Sequence, residues 1–367
     1  MEYEDLSCRM EELFANQVFD RAIITDDLFD LLCHREAGGG SEWKTVDIGG
    51  FRFTLIYVRS RGLRHDQTTL VKLGIKNPDA ARYYEFDPSP DFPYVRYRPE
   101  QAYQGRDLET RKRVKFSPFY NYIDANPKSE SLEITLHGKD GISQRFHISP
   151  NISPFCDNHF LVWPEPENCL GLKQVYHESL FYWIDDLFSR LDSHYSLFFS
   201  AIGAGNSLDT LHFQVLPLPF PAFDYLGRRY GDTGSGLIET SAEIWPLPGI
   251  FARYNSGTKT VVLVELDRYI RGWLSRDKAR TFNLIFRKKN AGIREAFFIF
   301  RKKGIARLPG VPNEFAASEA GGNIIIESRT DYANFPSITD RFELVNEAGQ
   351  PVYRADRQDL VKTPGQS

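Results

Sequence analysis

Between residues 131 and 216 the spacing of apolar side chains changes period twice, and few folds accommodate that order. Residues 131–137 (SLEITLH) and 143–148 (SQRFHI) alternate apolar and polar on either side of Gly138-Lys139-Asp140-Gly141, the pattern of a β-hairpin. Residues 159–163 (HFLVW) read as a buried strand. Over 173–194, Leu180, Ile184, Leu187, Phe188 and Leu191 recur at spacings of three and four, which predicts the best-defined helix of the chain. A strand over 196–202, a turn at Gly203-Ala204-Gly205-Asn206 and a strand over 208–216 follow. A hairpin, a strand, one long helix and two more strands predict an antiparallel sheet with a helix packed on one face.

The flanking regions carry weaker patterns. Residues 1–37 read as a helical extension, with Leu13, Phe14, Phe19, Leu28, Leu31 and Leu32 loosely periodic, and Gly38-Gly39-Gly40-Ser41 breaks them off. Residues 51–58 (FRFTLIYV) read as a strand, 59–78 as a polar stretch and 79–113 as an extended surface segment. Further on, 260–264, 282–287, 295–300 and 323–327 read as strands, 265–279 as a helix, and 345–367 as a polar tail. With 28 Phe and 18 Tyr, the composition suits pleated surfaces. The expected fold class is α+β: one antiparallel sheet system with helices on one side.

Charge and cysteine usage exclude several classes. With 45 basic and 49 acidic residues the net charge is −4, which argues against a general nucleic-acid binder or a membrane-surface binder. No run of about 20 apolar residues is present to span a membrane. The N-terminus lacks an apolar signal core. Cys8, Cys33, Cys156 and Cys169 form no C-x-x-C pair, and free thiols fit a reducing, cytoplasmic setting. His137 and His147 are expected to face each other across the hairpin, but no third ligand stands at metal spacing, so no zinc site is assigned.

The informative stretch is Leu208 to Gln214. On a strand, alternate side chains share a face, so Thr210, His212 and Gln214 point one way while Leu211, Phe213 and Val215 point to the core. A polar stripe on an otherwise apolar strand requires partners. The glycine-bearing turn from Gly203 to Ser207 can present backbone N–H groups to an anion. A neutral imidazole is a competent nucleophile toward phosphorus, with its second ring nitrogen donating to a carbonyl. A Gln214 amide can donate to a non-bridging phosphate oxygen, where charge builds in the transition state. Taken alone, a His-x-Gln on a strand is more often structural than catalytic.

In context the residues resemble a known family. Asn206-Ser-Leu-Asp-Thr-Leu-His-Phe-Gln214, followed by Val-Leu-Pro-Leu-Pro-Phe-Pro221, resembles the signature of the GDP-L-galactose and GDP-D-glucose phosphorylases. These belong to the histidine-triad (HIT) and galactose-1-phosphate uridylyltransferase superfamily, as do the dinucleoside tetraphosphate phosphorylases. Asn151-Ile-Ser-Pro-Phe-Cys-Asp-Asn-His159-Phe-Leu-Val-Trp-Pro164 looks like the family strand before the long helix. Phe282-Asn283-Leu-Ile and residues 296–301 (AFFIFR) look like later family strands, and Glu319 in Ala316-Ala-Ser-Glu-Ala-Gly-Gly322 matches the family's Ala-x-x-Glu-x-x-Gly. The likeness spans roughly residues 115–330. The family motif is His-x-His-x-Gln; its second histidine carries the nucleotide and maps onto His212. The first is Thr210 here, a departure that bears on substrate and rate.

The resemblance implies a HIT-like antiparallel sheet with flanking helices and two HIT-like halves in one chain. The halves are expected at 51–225, with the catalytic histidine, and 226–340, after an N-terminal extension over 1–50 and before a tail over 341–367. It implies a nucleotidyltransferase, a phosphorylase acting on a nucleoside diphosphate sugar. A nucleotidyl-His212 would form and inorganic phosphate would accept the nucleotide. His212, Gln214 and Thr210 would be catalytic. Asn206, Ser207, His159, Lys115, Asn121 and Glu319 would bind nucleotide or phosphate, with Asn126 in the same loop as Asn121. Each has a plainer reading beside it. His159 serves equally as a structural histidine at a strand start, Lys115 and Asn121 as solvated loop, and Glu319 as a helix-surface carboxylate. Arg59, Arg61 and Arg64 read more readily as a solvated face than as phosphate grips. No cofactor is required, with Mg²⁺ as an optional screen of phosphate charge. A monomer or a homodimer is compatible. The alternatives are a nucleotide-binding regulatory protein without turnover, a dinucleoside polyphosphate phosphorylase, and a hydrolase with water as acceptor.

Overall fold

A computed structural model describes residues 5–19, 42–48, 50–58, 84–86, 95–97, 131–151, 155–164, 172–205, 211–230, 234–240, 244–302, 316–326, 329–333 and 335. Its helices are α1 (Leu6–Phe19), α2 (Leu180–Ser189), α3 (Ala222–Leu226), α4 (Lys259–Leu274), α5 (Ala317–Ala320) and α6 (Arg329–Ala333). Its strands begin with β1 (Glu42–Ile48), β2 (Phe51–Tyr57), β3 (Tyr84–Phe86), β4 (Val95–Tyr97), β5 (Leu132–His137), β6 (Ser143–Pro150) and β7 (Phe160–Pro164). They continue with β8 (Ser196–Ser200), β9 (Phe213–Leu216), β10 (Gly236–Glu239), β11 (Gly249–Tyr254), β12 (Arg280–Asn290), β13 (Ile293–Lys302) and β14 (Asn323–Ile326).

Nine strands form one antiparallel sheet in the order β10-β11-β13-β12-β8-β9-β7-β6-β5. That order contains a repeat. The unit β6-β7-α2-β8-β9 lies outward from the middle as β8, β9, β7, β6; the unit β10-β11-α4-β12-β13 lies as β12, β13, β11, β10. The two units meet where β8 and β12 run antiparallel, from Asn283 opposite Ser200 to Arg287 opposite Ser196. The fold is therefore α+β with two topologically equivalent halves joined edge to edge.

Alternation decides which side each residue serves. Leu197, Phe199, Phe213, Val215, Leu284, Phe286, Phe298 and Phe300 point to the face covered by α1, α2 and α4. Phe198, Leu216, Ile285, Phe297 and Ile299 point to the other face, packed against α3, α5 and a small sheet of order β1-β2-β14. Full burial of such side chains contributes about 1.5–3 kcal/mol each, so the paired cores dominate the stability of both faces. Trp273 of α4 stacks on Phe300 at 4.5 Å, and Phe53 of β2 on Trp245 at 5.1 Å. Among the described residues, β3 and β4 form a two-stranded sheet.

Several elements differ from the sequence expectation. The helix expected over 173–194 spans Leu180–Ser189. The apolar three-four repeat starts only at Leu180, while Gln174, Tyr176, Glu178 and Ser179 ahead of it use their side chains in tertiary bonds. Residues 260–264 are helical, within α4, because Val262, Leu263, Leu266, Ile270 and Trp273 share its buried stripe despite the β-branched run. His137 lies opposite Ser143, and His147 opposite Glu133, so the two histidines do not face each other. β1, β10 and β11 lie outside the strands expected from alternation: the side chains of β11 are buried on both faces, which erases any period-two signal.

Candidate functional site

His212 sits at the mouth of β9, where two strands part. β8 and β9 pair from Ser196 opposite Leu216 to Phe198 opposite Gln214. Beyond that point residues 172–174 enter between them. The carbonyl of Leu172 accepts from the Leu211 N–H (2.9 Å), and that of Gln174 accepts from the Ile202 N–H (2.7 Å). The Gln174 side chain then grips the main chain of His212 at both ends. Its Oε1 accepts the His212 N–H (2.7 Å) and its Nε2 donates to the His212 carbonyl (3.0 Å). Gln174 and His212 are both buried. A side-chain amide thus replaces the neighbouring strand where a strand is lacking.

The turn after β8 is held from the second half. Gly203 (φ 83°) and Gly205 (φ 85°) adopt left-handed backbone that favours glycine. The Ala201 N–H donates to the Phe282 carbonyl (3.0 Å). The Thr281 hydroxyl donates to the Ile202 carbonyl (2.6 Å), and Asn283 Nδ2 to the Ala204 carbonyl (2.7 Å). Asn283 also donates to Ser200 Oγ (3.0 Å), and its Oδ1 accepts from the buried Arg301 guanidinium.

Gln214 meets a second polar cluster. His159, just ahead of β7, places Nε2 2.9 Å from Gln214 Oε1, and Asn151 Nδ2 lies 3.2 Å from the same oxygen. Asn151 Nδ2 is 3.0 Å from His159 Nε2. The Phe155 N–H points at His159 Nδ1 (3.4 Å); in the tautomer with the proton on Nε2 this nitrogen accepts and Nε2 donates to Gln214. A turn through Asn158, whose φ of 53° is tolerated well by asparagine, aims His159 at this cluster. With its oxygen so engaged, Gln214 retains its amide N–H₂ as a donor group.

Glu319 lies in α5, which is seated on β8: the Ala317 N–H donates to Ser200 Oγ (3.1 Å). Its carboxylate accepts the Ala316 N–H (2.9 Å), capping its own helix, and the residue is buried rather than on a helix surface. The structure therefore bonds His159 to Gln214, two residues beyond His212, and seats the helix that carries Glu319 on Ser200 at the end of β8. Thr210, Asn206, Ser207, Lys115, Asn121, Asn126, Arg59, Arg61 and Arg64 lie outside the described residues. Gln174 and Asn151 are the residues that sequence reasoning missed. The signal for Gln174 was the start of the apolar repeat at Leu180, which leaves residues 173–179 without a helical role.

The surroundings are polar and braced. The segment that carries Gln174 is tied to α4 through Tyr176, which donates to Asp267, and Glu178, which pairs with Arg271 (2.7 Å). Burial, with the Asp267 bond, pushes the Tyr176 hydroxyl up. The Arg271 guanidinium, with Lys139, holds the Glu178 carboxyl below the usual carboxylate range. Burial pushes the Cys156 thiol well up. Among the described residues no group of three His, Cys, Asp or Glu converges as a metal site. None of the described helices is long and apolar enough to cross a membrane.

A buried imidazole backed by a fixed main chain, beside an amide with its oxygen committed elsewhere, is suited to attack an electrophile while a donor binds the charge that develops. No protein-family model matches this chain. No curated protein matches it either. Among solved structures, the chain is similar to yeast Ap4A phosphorylase Apa2 in complex with AMP, at 11% identity, covering 88% of this chain and 91% of that one, with a TM-score of 0.46. It is likewise similar to the same yeast enzyme in complex with Ap4A, at 10% identity, covering 92% and 95%, with a TM-score of 0.46.

Proposed function

We propose that this protein is a nucleotidyltransferase, a phosphorylase acting on a nucleoside diphosphate sugar through a covalent nucleotide on His212. A ring nitrogen of His212 attacks the α-phosphorus, forming a P–N bond as the P–O bond to the sugar phosphate breaks. Inorganic phosphate then attacks the same phosphorus, the P–N bond breaks, and a nucleoside diphosphate leaves with the imidazole restored. Two in-line displacements give net retention at phosphorus and ping-pong kinetics. Gln214 donates its amide N–H to a non-bridging oxygen, and Thr210 takes the place of the first motif histidine. Asn206, Ser207, Lys115 and Asn121 contact the nucleotide. No cofactor is needed, and Mg²⁺ would screen phosphate charge.

The observation that carries this reading is the bond between His159 Nε2 and Gln214 Oε1, 2.9 Å long, on the strand that begins one residue after His212. It commits the acceptor end of the amide and leaves the donor end for an anion. Residues 226–340 contain no histidine, so one adduct per chain is expected. The test is intact mass after incubation with GDP-, ADP- and UDP-sugars and diadenosine tetraphosphate, for wild type and His212→Ala. One nucleoside monophosphate added to wild type alone supports the mechanism and names the base. Labelling only by the tetraphosphate moves the substrate to dinucleoside polyphosphates. Nucleotide binding without any added mass overturns the transferase reading in favour of a binding protein.

A further inference from the structure

We infer that Gln174 is a positioning residue for His212, an inference that rests on the nucleotidyl-histidine reading. Three observations support it. Gln174 makes two bonds to the main chain of a single residue, 2.7 Å to the His212 N–H and 3.0 Å to its carbonyl. It makes them where the β8–β9 ladder has ended at Phe198 and Gln214, so β8 does not fix the His212 backbone at this point. Its own main-chain carbonyl takes the Ile202 N–H at 2.7 Å, in the turn after β8. Gln174 therefore bonds both to the main chain of His212 and to the turn that carries Gly203 and Gly205. The main chain fixes where a Cβ points, so holding the N–H and carbonyl of residue 212 sets the arc from which the imidazole approaches phosphorus. In-line attack tolerates little error: a displacement of about 1 Å can lower a rate about 100-fold.

The segment bearing Gln174 is itself anchored to the second half. The Tyr176 hydroxyl donates to Asp267, and Glu178 pairs with Arg271, both partners on α4. The second half thus contributes to the site by holding the residue that holds His212.

The experiment compares wild type with Gln174→Met, which keeps chain length and loses both bonds, and Gln174→Glu, which keeps the acceptor for the His212 N–H and loses the donor to its carbonyl. The probe is the nucleoside diphosphate sugar or diadenosine tetraphosphate that labels wild type. Single-turnover adduct formation and equilibrium binding to the His212→Ala background are both measured well below each variant's melting temperature. The expected result is adduct formation slowed about 10- to 100-fold in Gln174→Met, less in Gln174→Glu, with binding changed by less than about twofold. Equal adduct rates in wild type and both variants overturn the inference. Equal loss of binding and rate also overturns it, because that pattern marks general loss of the pocket. If wild type takes no label, the nucleotidyl reading fails on its own, and the nitrogen NMR signals of the His212 ring decide on Gln174. One sharp tautomer in wild type and averaged signals in Gln174→Met support positioning; identical spectra overturn it.

Discussion

His159 Nε2 lies 2.9 Å from Gln214 Oε1, with Asn151 Nδ2 3.2 Å from the same oxygen. The pair decides how an amide with two different ends is presented. Without it, Gln214 could turn its carbonyl toward an incoming phosphate, and an acceptor facing an anion is repulsive. His159→Phe keeps an aromatic ring against Phe155, which now meets His159 at a centroid distance of 4.4 Å, and removes the donor. The expected outcome is a folded protein whose adduct formation falls about 10- to 100-fold, of the order seen when one transition-state donor is misdirected. Single-turnover kinetics check it, with Gln214→Ala as reference; the double variant is expected to be no slower than Gln214→Ala alone, because both act through one amide.

How much of this could be read beforehand depends on where periodicity survives burial. Leu180, Ile184, Leu187 and Phe188 line one helix face and were legible as such. The alternation of Leu211, Phe213 and Val215 against His212 and Gln214 was legible too, and it located the candidate site. β11 was not, because all six of its residues are buried, Arg253 among them, and no polar-outward alternation survives. Gln174 was not, because its function is tertiary: it completes a main-chain bond pattern that exists only once β8, β9 and residues 172–174 have come together. Glu319 was legible as a motif residue, but its bond to the N-terminus of α5 exists only in the folded chain. The repeat of the two halves was legible only through resemblance. Their sequences differ, and the identity lies in strand order.

Asn283 joins the halves at the turn that precedes His212. Its amide binds Ser200 Oγ at 3.0 Å and the Ala204 carbonyl at 2.7 Å, while its carbonyl oxygen accepts from Arg301. Asn283→Ala leaves the buried Arg301 guanidinium without this acceptor and the Ala204 carbonyl without its donor. The expected cost is about 2–4 kcal/mol in unfolding free energy, the sum of two buried groups that lose a partner. Thr281→Val, which removes only the hydroxyl bound to the Ile202 carbonyl, is expected to cost about 1–2 kcal/mol. Urea unfolding measures both. A loss below about 0.5 kcal/mol for Asn283→Ala would show that the turn stands without it.

Glu295 lies buried between two arginines. Its Oε1 accepts from Arg253 Nε (2.8 Å) and its Oε2 from Arg287 Nε (2.6 Å). Arg253 is as buried as Glu295, and its second amino group donates to the Gly227 carbonyl (3.0 Å). Glu295→Gln keeps the shape and removes the charge that neutralises both cations. Breaking a buried pair from one side costs about 3–5 kcal/mol, so this single change is expected to be among the most destabilising isosteric substitutions in the sheet. Arg253→Met with Glu295→Leu removes one cation together with the carboxylate, and is expected to recover part of that loss. Chemical denaturation of the two variants side by side tests the sign. Equal loss in both would mean that packing, and not charge, dominates there.

Glu178 gives the segment that carries Gln174 a pH dependence of definite sign. Its bond to Arg271 (2.7 Å), then that to Lys139 (3.3 Å), lowers its folded pKa below the ordinary value. A depressed carboxyl pKa means that the unfolded chain binds the proton more readily. The contribution to stability is therefore complete above the unfolded value of about 4.3 and disappears as pH falls through the lower folded value. Glu178→Gln is expected to melt lower than wild type from pH 6 to 8 and together with it near pH 3. Because the carboxylate is solvent-exposed, the gap at neutral pH is expected to be small and to shrink further with added salt. Thermal melts of the two proteins across that range, in low and high salt, check both statements. A gap that persists at pH 3, or that ignores salt, would mean that the glutamate acts through packing instead. The segment bearing Gln174 would then be held to α4 chiefly by the bond from Tyr176 to Asp267.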